Sequence, residues 1–118
     1  MLLQFDPAAI QRLLDLGGSV LAEKMIRLFL DNTPARMAAA RDAERTGDWT
    51  TVERTGHSMK SSAAYLGLLG VQERAARLEA LAAQGAAVEV RALLRELSEA
   101  YPALCTLLQL KPDSSPRR

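Results

Sequence analysis

The chain has 118 residues, among them 20 Ala and 20 Leu but only 5 Val and 2 Ile, so it can build one sizeable core and is poor in strand formers. Fifteen basic side chains stand against 14 acidic ones, a net charge of +1 that gives no support to nucleic-acid binding, and no apolar run approaches the roughly 18 residues of a membrane span. One cysteine, Cys105, and one histidine, His57, exclude an internal disulfide and a zinc site built from this chain alone, so a soluble, cytoplasmic, all-helical protein without structural metal is expected.

A short helix opens at Asp6 as N-cap with Pro7 at its first position, turns Ile10, Leu13 and Leu14 inward, and stops at Gly17-Gly18. Ser19 is expected to cap a second helix whose inward set is Leu21, Met25, Leu28 and Phe29. Thr33-Pro34 predicts a break or kink, followed by a helix from Ala35 to about Thr46 with Met37, Ala40 and Ala43 inside, which Gly47 ends. Asp48 then caps the central helix, from about Trp49 to Leu66 or Gly67, with Val52, Met59, Ala63 and Leu66 on one narrow stripe.

Val71, Ala75, Leu78 and Ala82 define the next helix, ending near Gly85, and Val90, Leu94, Leu97, Tyr101, Leu104 and Leu108 define the last. Pro102 lies inside that last pattern and predicts a kink or two abutting helices. Residues 111–118, KPDSSPRR, read as a polar tail or linker stump after a single domain at 1–110. Four helices of about 12 to 20 residues with short loops predict an all-α, antiparallel up-down-up-down four-helix bundle with a short N-terminal lid helix.

The sequence offers little for conventional catalysis. The seven glycines form neither G-x-x-x-x-G-K-[ST] nor G-x-G-x-x-G, and no G-x-S-x-G elbow or reactive-Cys signature is present, so no nucleotide site is expected. His57 is the residue that stands out. With Val52 at zero on a helical wheel, Met59 and Ala63 lie within about 20° of the core direction while His57 falls near about 140°, on the solvent side. Around it the run Ser58 to Ala64, S-M-K-S-S-A-A, lacks the long charged side chains of an ordinary solvated face and leaves a bare patch with Lys60 standing up and Arg54 one turn before. A flat patch around a single nucleophile suits the docking of another protein. The plainer account is that a lone exposed histidine is only a surface residue and that small residues let helices pack closely.

The stretch Gly56 to Glu79, GHSMKSSAAYLGLLGVQERAARLE, resembles the signature of histidine-containing phosphotransfer (HPt) domains, H-x-[LM]-K-G-[SA]-[SA]-x-x-[LI]-G with L-E about eleven residues later. His57, Met59, Lys60, Ser62, Ala63, Leu66, Gly67 and Leu78-Glu79 match it. So do Asp6-Pro7, the Leu16 to Gly18 turn, Phe29 to Pro34 and Gly47 to Trp49, and the likeness spans about residues 5 to 110. One departure is Ser61, where the family usually has glycine beside the imidazole.

The resemblance implies a phosphoryl carrier with no kinase activity or cofactor of its own. It implies that His57 accepts a phosphoryl group from a receiver-domain aspartate and relays it to another receiver, which supplies Mg²⁺. Lys60 and Arg54 are expected to keep the imidazole neutral before transfer and to offset phosphoryl charge afterwards. Arg54, Ser58, Ser61, Ala64 and Tyr65 are the expected partner-binding residues, in a transient interface under about 1,200 Å². For Tyr65, packing against a neighbouring helix is an equal alternative. The expected partners are response-regulator receiver domains, with a hybrid histidine kinase as a further one, met by a monomer that engages neither nucleic acid nor membrane.

Three other readings compete with this one. A dimerisation and phosphoacceptor domain of a sensor kinase has an acidic residue after its histidine and a nearby proline, where this chain has Ser58 and no proline between Pro34 and Pro102. A degenerate HPt-like bundle that binds receiver or kinase domains without phosphotransfer is invited by Ser61 alone. A helical nucleic-acid binder needs a basic face, and here the charges of both signs are interspersed.

Overall fold

A computed structural model of the chain describes residues 2–109. It contains four helices, α1 (Pro7–Thr46), α2 (Trp49–Leu66), α3 (Leu69–Ala83) and α4 (Ala87–Gln109). Each helix packs on its neighbours in the cycle α1, α2, α3, α4, with the α2 and α3 contact the most extensive, so the four form a bundle around one core. None of the helices is long and apolar enough to cross a membrane. The expected polar tail at 111–118 lies outside the described residues.

The local signals set the ends. Asp6 Oδ1 accepts from the Ala8 amide at 3.0 Å with Pro7 behind it, and Asp48 accepts from the Thr51 amide at 3.2 Å and the Thr51 hydroxyl at 2.6 Å. Gly47 and Gly67 close α1 and α2 in the left-handed conformation, at φ 78° and 72°. At Gly67 space is decisive as well: a Cβ there would stand 2.3 Å from the Asp6 carbonyl oxygen. That close approach lets the segment before α1 lie against the α2–α3 turn, where the Asp6 amide donates to Gly67 O at 2.8 Å.

The lid forms without a separate helix cap. Gly18, with φ 70° and ψ −167°, is the one non-helical residue in the 40-residue α1, a conformation essentially reserved for glycine. A straight helix of that length would run about 60 Å, yet the longest extent of the molecule is 44 Å. The break at Gly18 resolves the mismatch, turning Pro7–Gly17 over the bundle with Ala9, Ile10 and Leu13 buried. Ser19 stands exposed just beyond it, and its hydroxyl caps no backbone amide.

One inward residue changes, and at both prolines the helix runs on as a single element. Leu28 is 47% exposed, because past Gly18 the buried face takes the phase Ala22, Ile26, Phe29, Thr33, Met37, Ala40. At Thr33-Pro34, where a break or kink is expected, no break occurs and α1 continues through the proline. Proline removes the amide that would bond to the Leu30 carbonyl, and that carbonyl accepts from the Tyr101 hydroxyl of α4 at 2.5 Å, while the Thr33 hydroxyl donates to Phe29 O at 2.6 Å. α4 likewise runs through Pro102 as one element, held on both sides by the burial of Leu97, Leu104 and Leu108. The predicted inward sets of α2 and α3 are all buried.

Candidate functional site

His57 lies in the middle of α2, its side chain 64% exposed, as the wheel predicts. The residue before it, Gly56, is buried against backbone: a Cβ there would lie 2.8 Å from the Glu79 nitrogen and 2.9 Å from the Ala75 carbonyl oxygen of α3. Only a glycine permits α2 and α3 to meet so closely at this level. The consequence is chemical, since Glu79 comes within reach of the imidazole.

Glu79 Oε2 is 3.1 Å from His57 Nδ1, and its other oxygen, Oε1, accepts from Lys60 Nζ at 2.8 Å. The bond from the Lys60 ammonium, and after it the contact with His57, hold the Glu79 carboxyl below its ordinary value, against the opposing effect of partial burial. An ionised carboxylate only accepts, so this contact places the ring proton on Nδ1. In its neutral form the ring then carries its lone pair on Nε2. A side chain held this way is a nitrogen nucleophile with one tautomer selected and its orientation fixed by a neighbour.

The predicted site residues fall into two groups around this centre. Arg54 and Ser58 share with His57 and Glu79 a depression of about 400 Å³, on the side facing α3. Ser61, Ala64 and Tyr65 line a separate groove of about 510 Å³ between α2 and the lid segment, closed by Leu13 and Leu16. Tyr65 is 61% exposed and also borders a smaller depression beside Leu28 and Phe29, so it stands as a wall between two hollows and is not packed away. Lys60 does not stand up from the patch as expected. It is half-buried and bent onto Glu79.

Glu79 and Gly56 are the positions that residue-level reasoning left without a role. Both belong to the signature stretch, but the part each plays depends on α2 and α3 being in register, with 22 positions of chain between His57 and Glu79. The electrostatics differ from the expectation of neighbouring cations alone: an anion sits between the histidine and the lysine. Among the described residues no group of three or more His, Cys, Asp or Glu side chains is placed to hold a metal ion.

A helical bundle thus presents one exposed histidine keyed by a carboxylate of the neighbouring helix. The family model of the Hpt domain matches residues 24–109, well over half of the sequence, and the chain belongs to that family. It is therefore a histidine phosphotransfer protein in the general sense, of the kind that serves phosphorelays. Its fold is similar to the crystal structure of histidine-containing phosphotransfer protein B (HptB) from Pseudomonas aeruginosa PAO1, with a TM-score of 0.84, 17% sequence identity, and coverage of 92% of this chain and 94% of that one. At that identity the likeness concerns the fold. No curated protein gives a significant sequence match.

Proposed function

We propose that His57 accepts a phosphoryl group from the aspartyl phosphate of one receiver domain and returns it to an aspartate of another. In the forward step Nε2 forms the bond to phosphorus while the bond from phosphorus to the aspartate oxygen breaks, and the carboxylate leaves. The single observation that carries this reading is the contact of His57 Nδ1 with Glu79, which fixes the tautomer with the lone pair on the other nitrogen of an exposed ring. Phosphoryl transfer of this kind passes through a loose transition state, so alignment and charge supply most of the catalysis. Lys60, one turn beyond His57 and already aligned by Glu79, is the proposed counter-charge for the phosphoryl oxygens. The Mg²⁺ for the reaction would come with the receiver.

The partner is proposed to cover the bare surface formed by Ser58, Ser61 and Ala64, with Arg54 and Tyr65 at the rim, around a monomeric bundle. Short side chains let a receiver's loop approach the ring, and the small footprint suits a transient complex. Ser61 keeps a second reading in view, a bundle that binds receivers without accepting phosphate.

One assay separates these outcomes. Incubated with a phosphorylated receiver, the wild-type chain is expected to acquire acid-labile label and the His57→Gln variant none; label on that variant overturns the assignment. A wild-type chain that binds the receiver yet takes no label establishes the second reading instead. Lys60→Ala is expected to slow transfer by about tenfold or more with an unchanged helical spectrum. An unaltered single-turnover rate removes Lys60 from the reaction.

A further inference from the structure

The opposite face of the bundle, between α1 and α4, carries a charge cluster that phosphotransfer leaves unused. Arg41 and Arg45 stand one turn apart on α1, Arg91 and Arg95 one turn apart on α4, and all four line one depression of about 540 Å³. Like charges at this helical spacing repel one another. Two carboxylates, Glu44 and Glu99, share the depression and Asp42 pairs with Arg45 beside it, so four cations face three anions and the cluster keeps an excess positive charge.

Internal partners use up only part of that charge. Glu44, with its side chain 5% exposed, accepts from Arg91 Nε at 3.2 Å and Nη2 at 2.7 Å, and the pair forms a fixed floor. Arg41 Nη1 donates to a neutral group, the Ser98 hydroxyl, at 2.7 Å. Arg45 pairs with Asp42 on its own helix. Among the described residues no ion pair holds Arg95.

The size falls in the range of small-molecule pockets, about 300–1,000 Å³. Guanidinium forks match phosphate oxygens two at a time. No aromatic ring lines the walls, so the depression offers charge and hydrogen bonds without a platform for stacking a base. We propose that it binds a small multivalent phosphate anion, recognised by Arg41 and Arg95 above the Glu44–Arg91 floor. This site lies between α1 and α4, whereas His57 and Glu79 face each other between α2 and α3, so the inference does not rest on the phosphotransfer reading.

Calorimetric titration of the intact chain with inorganic tripolyphosphate tests it. One-to-one binding that weakens with added salt is expected, reduced at least tenfold in Arg41→Ala/Arg95→Ala. Arg27→Ala, at an exposed position about 20 Å along α1 from Arg41, and His57→Gln are expected to bind as wild type. Absence of binding, or an equal loss in Arg27→Ala, overturns the proposal, as does a preference for a glutamate-rich peptide over tripolyphosphate. Matching melting curves of the double variant and wild type establish that any loss is one of binding.

Discussion

At the scale of single residues, one carboxylate does two jobs. Glu79 accepts from the Nδ1 side of His57 and from the Lys60 ammonium, and the two tasks separate on substitution. Glu79→Gln keeps an oxygen that can accept from Nδ1 but loses the charge paired with Lys60. Transfer is therefore expected to persist in Glu79→Gln and to fall in Glu79→Ala, whose ring has no partner to select its tautomer; equal rates in the two variants would remove the tautomer role. The pH dependence has a definite sign. Because the folded-state value of Glu79 is lowered, its contribution to stability is complete above the ordinary carboxyl value of 4.5 and is lost as the pH falls through the lower folded value. Denaturation midpoints of wild type and Glu79→Gln should accordingly differ at neutral pH and converge in acid. The exposure of His57 was legible in the sequence because a helix wheel needs only one helix. Its carboxylate partner was not, since that pairing depends on where a second helix lies.

At the scale of elements, signals that act within one turn set three helix ends, whereas Ser19 caps nothing because the break falls at Gly18. Asp6 and Asp48 cap helices because their carboxylates reach amides two and three residues on, and Gly67 ends α2 through its own backbone. Gly56 differs, because its importance lies in the backbone of α3 and not in its own turn. Gly56→Ala adds a methyl group to a contact with no flexible side chain to yield. A loss of about 1–3 kcal/mol is expected, as for overpacked cores, together with slower transfer as Glu79 moves away from the ring. A chemical denaturation curve superimposable on wild type would contradict the close approach. The helix survives Pro34 for a related reason. A proline stops a helix when the carbonyl it frees has no donor, and here the donor arrives from a residue 71 positions away.

At the scale of the whole molecule, the two proposed sites lie on opposite faces, with the keyed histidine between α2 and α3 and the arginine depression between α1 and α4. The link that joins α4 to the defect in α1 is a phenol whose proton is held firmly: burial, then the neighbouring Cys105, raises Tyr101 to about 12. Tyr101→Phe is expected to cost about 1 kcal/mol by leaving the Leu30 carbonyl without its donor. Adding Pro34→Ala to that variant restores an amide for the same carbonyl and should recover most of the loss, which a double-mutant cycle measures. Simple additivity of the two substitutions would sever the connection. The bond has a further consequence for assembly. Leucine and alanine surfaces are nearly alike from one turn to the next, so apolar packing alone leaves α4 free to slip by a turn along α1. A slip in either direction would set Leu97 or Cys105 opposite the Leu30 carbonyl, and neither is a strong donor. The missing amide of Pro34 thus serves as an address that one hydroxyl can answer, and together with the Arg91–Glu44 and Arg41–Ser98 bonds it tells α4 how far along α1 to stop.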